Sequence, residues 1–145
     1  MVWAAFCYNG QVSLHFTSCR QTSQHYVKTL EDNLLPFAEF LGGNFSKTMF
    51  RLTLQTTQVW FNPQNIKVLG WPACNPGLNP IENLWGIMCC RVYSNGRKYS
   101  SVRELKRFIA NVWYEIEPKT MQDLVSSMET RIYELINKNG SAVRF

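Results

Sequence analysis

The order of apolar and polar positions predicts strands near the start of the chain. Residues 1–8 form a nearly continuous apolar run, Asn9-Gly10 is a strong hairpin turn, and residues 11–17 alternate like a returning strand. Residues 49–55 also alternate between apolar and polar side chains, and residues 66–69 are a short apolar run. Both of these segments are predicted to be strands.

Residues 23–41 carry apolar side chains at helical spacing, which predicts a helix after the hairpin. Ser23 is the expected N-cap of this helix. Pro36 is expected to bend or interrupt it, and Gly42-Gly43 is expected to end it. Strands and helix together predict an α/β order of elements.

The second half of the chain predicts three consecutive helices. The first covers residue 80 to about residue 94, and the second begins at the capping box Ser101-Val-Arg-Glu104 and stops at Pro118. The third covers residues 119 to 138 approximately. The apolar residues at helical spacing, which we expect to form the core, are Ile81, Leu84, Trp85, Met88, Val92, Leu105, Phe108, Ile109, Val112, Ile116, Met121, Leu124, Val125, Met128, Ile132 and Leu135.

The charge of the chain is unevenly distributed. The 145 residues are 46% hydrophobic, enough for the core of one domain, and the net charge is +5. Between residues 86 and 107 the single acid is Glu104. The basic residues of that segment are Arg91, Arg97, Lys98, Arg103, Lys106 and Arg107. This basic segment is expected either to contact nucleic-acid phosphates or to be a solvated helix face.

The sequence lacks the signals of two classes of protein. No apolar run approaches the ~18 residues of a membrane span, and no signal peptide is visible, so we expect an intracellular protein without a membrane segment. Five cysteines show no CxxC spacing, so a zinc site is not expected.

The run Pro76-Gly-Leu-Asn-Pro-Ile-Glu-Asn-Leu-Trp85 puts one carboxylate, that of Glu82, on the first turn of a predicted helix. Asn79 is the expected N-cap. Pro80 suits the first helical position because its missing N–H would have no partner there. Glu82 then falls where it can reach back to the cap. On spacing alone, Glu82 closes a capping box, and a catalytic role is the alternative.

Residues 69–85 closely resemble the third catalytic motif of the Tc/mariner transposases, whose "NPIENLW" run carries the last carboxylate of a DDE metal-binding triad. Met1-Val-Trp3 resembles the "MVW" strand of that family, and Asp32-Asn-Leu-Leu-Pro36 resembles its "ENNLLP" helix. Residues 126–132 resemble its C-terminal "SMPRR" helix. The resemblance therefore covers nearly the whole chain.

This resemblance implies an incomplete ribonuclease-H-like fold, a mixed sheet with flanking helices, followed by a C-terminal helical segment. Residues 1–145 would be one partial catalytic domain, with the sheet core in 1–70 and the third-carboxylate motif and C-terminal helices in 71–145. The implied activity is DNA cleavage and strand transfer with Mg²⁺ or Mn²⁺, in which paired ions about 3.5–4 Å apart stabilise the attacking and leaving oxygens. The implied partners are DNA and a transposase oligomer, and the implied location is the nucleus.

Only Glu82 can be carried over from the family as a catalytic and metal-binding residue. The second aspartate of the family corresponds to Lys47, a base where the metal needs an anion. The first aspartate and the helix-turn-helix region of the family precede the "MVW" segment, so we expect both to be absent. We therefore expect an inactive chain. The alternative is a non-catalytic DNA-binding or transposase-interacting remnant.

A frameshift hypothesis accounts for Lys47. One permissible set of codons for residues 46–56, read with one added base, encodes "QQDNVPSHTAN", which resembles the second-aspartate motif of the family. We hypothesise a single-base deletion near codon 46 and a compensating change before about Val59. The coding DNA tests this hypothesis directly.

Overall fold

The computed structural model describes residues 1–17, 22–38, 44–45, 67–68 and 76–138. The chain divides into two compact units, one formed by residues 1–5 and 12–74 and the other by residues 6–11 and 75–145. Three predictions lie outside the described residues: the strand at 49–55, the helix stop at Gly42-Gly43 and the segment around Lys47. The assignment of the chain to one domain stays a prediction.

A β-hairpin opens the chain, as the sequence predicts. Strand β1 (Val2–Cys7) pairs with strand β2 (Gly10–Phe16) in a two-stranded sheet. Gly10 has a φ of +133°, a conformation that residues with a Cβ rarely adopt, which explains the glycine at this turn. At the open end, the N–H of Thr17 donates to the carbonyl of Met1 at 2.9 Å.

Helix α1 (Ser23–Asn33) begins one residue earlier than the sequence predicts. Its N-cap is Thr22, not Ser23, and the Thr22 hydroxyl accepts a hydrogen bond from the N–H of His25 at 3.3 Å. Thr22 takes this role because its backbone is extended, whereas Ser23 is already helical. The helix is interrupted at Leu34, as expected from Pro36, and a short helix α2 (Leu35–Ala38) follows.

Among the described residues of the first unit, Leu30 and Leu34 form a buried apolar cluster. Trp3, Ala5 and Tyr26 pack against them together with Leu35. Strand β3 (Asn44–Phe45) pairs in parallel with strand β4 (Lys67–Val68), which confirms part of the strand predicted at 66–69.

Apart from the hairpin tip, the described residues of the second unit form helices joined by short turns and loops. A 3-10 turn (Pro76–Leu78) leads into α3 (Pro80–Val92), and a second 3-10 turn (Ser94–Gly96) leads towards α4 (Val102–Tyr114) and α5 (Pro118–Asn137). Helix α3 ends two residues before the predicted end.

The role predicted for Pro118 was wrong. Helix α4 already ends at Tyr114, and Pro118 is the first residue of α5 rather than the stop of the preceding helix. Proline is favoured at the first helical position because the N–H that it lacks would have no acceptor within the helix.

Trp113 lies at the centre of the second unit and is fully buried. Its ring centroid is 6.4 Å from that of Trp85, so α3 and α4 meet here. The predicted core position Ile132 was wrong, because that side chain is 39% exposed. The remaining buried apolar residues of this unit are Leu78, Leu84, Met88, Val92, Val112, Ile116 and Met121.

Gln11, at the hairpin tip, binds the end of α4 within the same unit. Its side-chain amide donates to the carbonyls of Trp113 and Ile116, each at 3.0 Å. Trp113 lies in the last turn of α4, where carbonyls lack the usual helical partners, and its carbonyl also accepts from the N–H of Ile116 at 3.3 Å. The Gln11 side chain therefore joins the hairpin tip to the end of α4 and to the residue that follows its C-cap.

The described residues therefore form an α/β structure with a two-stranded hairpin sheet and a helical second half. The ribonuclease-H-like arrangement stays a prediction. Among the helices that the structure describes, none combines the length and the apolar character needed to cross a membrane.

Gly86 offers a test of the α3 geometry. A Cβ added at this exposed mid-helix glycine would meet no atom within 4 Å. Gly86→Ala is therefore expected to raise the free energy of unfolding by about 0.5–1 kcal/mol, measured by urea denaturation. Gly96→Ala is the control and should lower stability, because Gly96 has a φ of +66°. A loss of stability in Gly86→Ala would contradict the straight, open helix at this position.

Candidate metal-binding turn and basic surface

Glu82 lies on the first turn of α3, as the sequence predicts, and its side chain is exposed. Its backbone N–H donates to the carbonyl of Asn79 at 3.1 Å. An acidic side chain on the first turn of a helix interacts favourably with the partial positive charge of the unpaired N–H groups at the helix N-terminus. Glu82 thus presents a charged oxygen ligand to solvent.

The hydrogen bonds predicted for a capping box at Asn79 and Glu82 do not form. Asn79 is the N-cap residue, but its side chain makes no hydrogen bond to the helix backbone. Instead the Asn79 side-chain amide donates to Oε1 of Glu82 at 3.3 Å. Because Asn79 is only 6% exposed and its amide faces the carboxylate, the side chain orients Glu82 rather than closing the helix end.

A buried arginine is hydrogen-bonded to residues on both sides of Asn79 and Glu82. Arg131 on α5 is 3% exposed, and its Nη1 donates to the carbonyl of Gly77 at 3.0 Å and to Oδ1 of Asn83 at 2.7 Å. Its Nε donates to the hydroxyl of Ser127 at 2.9 Å. Burial lowers the pKa of the Arg131 guanidinium from its usual value, which lies far above neutrality, so it stays charged.

The two aspartates of the chain lie on other helices than Glu82. Asp32 lies on α1 in the first unit, and Asp123 on α5 is bound to Lys119 at 3.2 Å. Within the described ranges, no group of three or more histidines, cysteines, aspartates or glutamates is arranged to hold a metal ion. A divalent ion with oxygen ligands needs more than one carboxylate or a substrate phosphate, so these residues do not form a complete site.

Four of the six basic residues predicted to bind nucleic acid are exposed on α4 or in the loop before it. Arg103 and Arg107 are exposed one turn apart on α4, and Lys98 is exposed in the preceding loop. The guanidinium of Arg97 lies 4.3 Å from the ring centroid of Phe108, a cation–π contact. We call Arg97, Lys98, Arg103 and Arg107 the α4 basic surface.

Two of the six predicted basic residues differ from this surface. Arg91 is exposed on α3, the preceding helix, whereas Lys106 is partly buried on α4. The structure therefore supports a basic surface centred on one helix and its N-terminal loop, rather than a continuous stripe along residues 91–107.

Glu104 lies within the α4 basic surface. Hydrogen bonds from the hydroxyl and the backbone N–H of Ser100, at 2.6 and 2.9 Å, lower the pKa of the Glu104 carboxyl, and nearby Arg107 and Arg97 act in the same direction. The predicted capping box is half confirmed. Ser101 accepts from the N–H of Glu104 at 3.2 Å, but Glu104 bonds back to Ser100 instead of Ser101.

Sequence reasoning missed Arg131 as a residue of this site. The resemblance to the "SMPRR" helix includes the position, and Arg131 also continues a core spacing of three and four residues from Met121, Leu124 and Met128. A charged residue on a core stripe is a signal for a buried hydrogen-bonded group.

Comparison with known proteins relates the whole chain to transposases, although no model of a known protein family matches it. The chain is 34% identical to the Transposable element Tc3 transposase of Caenorhabditis elegans, in an alignment that includes all of this chain and 45% of that protein. It is 26% identical to the Tc1 transposase of the same organism and 25% identical to the Tcb2 transposase of Caenorhabditis briggsae, each covering all of this chain and 54% of the relative.

The chain spans about half the length of the curated relatives that it matches. The matched span includes both the turn that presents Glu82 and the helix that carries Arg131. The resemblance seen in the motifs and the identity over the complete chain agree. On both grounds, the chain belongs to the Tc/mariner-type transposase family.

Proposed function

We propose that this chain is the part of a Tc/mariner-type transposase that supplies the third metal-binding carboxylate, Glu82. The activity proposed for the whole protein is Mg²⁺- or Mn²⁺-dependent DNA cleavage and strand transfer, carried out by a ribonuclease-H-like domain in the nucleus. The observation that carries the proposal is the exposed Glu82 carboxylate, oriented by Asn79 on the first turn of α3 inside the family motif.

The chain by itself is proposed to be catalytically inactive. Two-metal phosphoryl transfer needs several oxygen ligands held rigidly around both ions. Glu82 is the one residue that matches a family ligand, and Lys47 stands at the second position of the triad. A single carboxylate binds Mg²⁺ too weakly to fix the two ions for in-line displacement.

The α4 basic surface favours a second function, DNA binding without cleavage. Exposed guanidinium and ammonium groups on one helix and its N-terminal loop can contact successive phosphates of a DNA backbone. Arg97 and Arg107 both lie near Glu104, so one acid offsets part of this charge. Under this reading the chain binds DNA or a transposase oligomer as a remnant that has lost its chemistry.

A nicking assay distinguishes these two functions. Purified chain is incubated with supercoiled DNA carrying transposon ends, in the presence of Mg²⁺ or Mn²⁺, and nicked product is measured. We expect no cleavage dependent on the divalent ion, and a mobility-shift assay at several salt concentrations measures whether the chain binds the same DNA. The pairing of no cleavage with salt-sensitive binding would support the remnant function.

Glu82→Gln and Glu117→Gln form a matched pair of variants for this assay. Both residues are exposed glutamates at or near the start of a helix, but only Glu82 lies in the family motif. Divalent-dependent cleavage that Glu82→Gln abolishes and Glu117→Gln retains would overturn the proposed inactivity. It would also establish Glu82 as a catalytic ligand.

A further inference from the structure

Arg131 is the most deeply buried charged residue among those that the structure describes. Taking an arginine out of water is costly unless its N–H groups find acceptors. Its Nε and Nη1 have three acceptors between 2.7 and 3.0 Å away. Such a side chain is held in one geometry, because the planar guanidinium fixes the directions of all its donors together.

The acceptors of Nη1 flank the turn that carries Glu82. Gly77 lies in the 3-10 turn two residues before Asn79, and Asn83 is the residue after Glu82. One nitrogen of Arg131 therefore ties the segment before the α3 N-terminus to its first turn. The hydrogen bond from Asn79 to Glu82 lies between these two anchor points along the chain.

We propose that Arg131 is a positioning residue for Glu82. By fixing the carbonyl of Gly77 and the side chain of Asn83, it sets the backbone on both sides of the Asn79–Glu82 pair. The direction of the Glu82 carboxylate is then determined by Arg131 on α5, which lies 49 residues further along the chain. The importance of that direction for chemistry rests on the proposed function, whereas the positioning itself does not.

Lysine cannot replace arginine in this role. Its ammonium nitrogen has three donors but ends one bond short of the Nη1 position, and lysine has no second nitrogen for Ser127, so it lacks the fork that serves Gly77, Asn83 and Ser127 together. Arg131→Lys keeps the charge and removes the geometry. It is therefore the variant that separates positioning from electrostatics.

The side-chain amide signals of Asn79 and Asn83 in the full chain labelled with ¹⁵N report the two linked hydrogen bonds. In Arg131→Lys both pairs of amide signals are expected to move from their wild-type positions. The movement of the Asn79 signals is decisive, because the side-chain amide of Asn79 donates to Glu82 and not to Arg131.

Met121→Ala is the matched control. Met121 is fully buried on the same helix, so its truncation lowers the melting temperature, but it lies three helical turns before Arg131. We expect the Asn79 and Asn83 amide signals of this variant to stay in place below its melting transition. Equal movement of the Asn79 signals in Met121→Ala and Arg131→Lys would overturn the proposal, since loss of stability would then explain both.

Ser127→Ala keeps the test decisive if Arg131→Lys does not fold. It removes the acceptor of Nε, together with the hydrogen bond that the same hydroxyl donates to the carbonyl of Leu124, and it keeps Arg131 in place. The same displacement of the Asn79 signals is therefore expected at a smaller size. If Arg131→Lys folds and its Asn79 signals are unchanged, Arg131 merely anchors α5. If only Ser127→Ala folds, unchanged Asn79 signals in that variant lead to the same conclusion. That result would overturn the proposal.

A separate experiment tests the proposed function. The importance of the Glu82 direction for catalysis depends on that function. Mn²⁺ is added to the wild-type chain, and paramagnetic broadening of the Glu82 backbone signal is measured. Broadening centred on Glu82 supports its role as a metal ligand. Its absence would count against that role and would leave the Arg131 result intact, so the two failures can be told apart.

Discussion

Trp113→Ala is expected to lower the free energy of unfolding by about 3–5 kcal/mol, the range seen when a large buried aromatic side chain is truncated. That loss is a large fraction of the stability of a small domain, commonly about 5–15 kcal/mol. Trp113 is fully buried, and its ring lies against Trp85 between α3 and α4. Truncation leaves a cavity that these two helices cannot close without shifting from their present packing.

Tyr114→Ala is the control for this prediction. Tyr114 is the next residue of α4, carries an aromatic ring of similar size and is 72% exposed. Its truncation should change the unfolding free energy by no more than about 0.5 kcal/mol. Urea denaturation followed by far-ultraviolet circular dichroism measures both variants. Similar losses at positions 113 and 114 would contradict the buried position of Trp113.

Trp113→Phe gives a finer measure of the same site. The indole Nε1 of Trp113 is buried and has no hydrogen-bond acceptor among the residues that the structure describes. A buried donor without a partner costs free energy, so phenylalanine removes that cost together with some packing contacts. We expect Trp113→Phe to be considerably more stable than Trp113→Ala.

Loss of DNA binding is the largest expected effect on function. If the α4 basic surface contacts phosphates, Arg103→Gln with Arg107→Gln should reduce the dependence of log affinity on log salt by about 2. At about 0.1 M salt the affinity would then fall by about two orders of magnitude. Fluorescence anisotropy with a short labelled duplex, titrated at several salt concentrations, measures both quantities.

Lys119→Gln with Lys138→Gln makes the same change in total charge elsewhere. These two lysines lie at opposite ends of α5, where each pairs with an acid four residues away. Their removal should leave the salt dependence unchanged, because they lie outside the α4 basic surface. An equal fall in salt dependence for both double variants would show that only the net charge of the chain matters, and would sink the proposed interface.

Local sequence signals predicted most of the elements correctly. The Asn9-Gly10 turn fixed the hairpin because few residues other than glycine tolerate the backbone found at Gly10. The Asn79-Pro80 pair fixed the start of α3, since the cap and the first helical position each favour a narrow set of residues. These signals act within a few residues, so they can be read without knowledge of the fold.

Sequence signals that fit more than one residue, or more than one role of the same residue, were less reliable. Thr22 and Ser23 are both good caps, and backbone conformation selected Thr22. Pro118 can end one helix or begin the next, and the earlier end of α4 left it at the start of α5. At Asn79 the sequence predicted a bond to the backbone, but the side chain turned to the Glu82 carboxylate.

The sequence pattern did not determine which face of α5 is buried. Met121 can continue into the core through Val125 and Ile132, or through Leu124 and Arg131, because both sets follow helical spacing. Hydropathy favours the set with Ile132. The structure buries Arg131 and leaves Ile132 39% exposed.

The sequence by itself determined that this protein is a Tc/mariner-type chain with Glu82 on the first turn of a helix, because those features depend on neighbouring residues. Only the tertiary structure decided which side chain stands behind that turn. Arg131 is buried because Gly77 and Asn83, about fifty residues away along the chain, supply the acceptors that offset its desolvation. Such acceptors come together only when the helices pack.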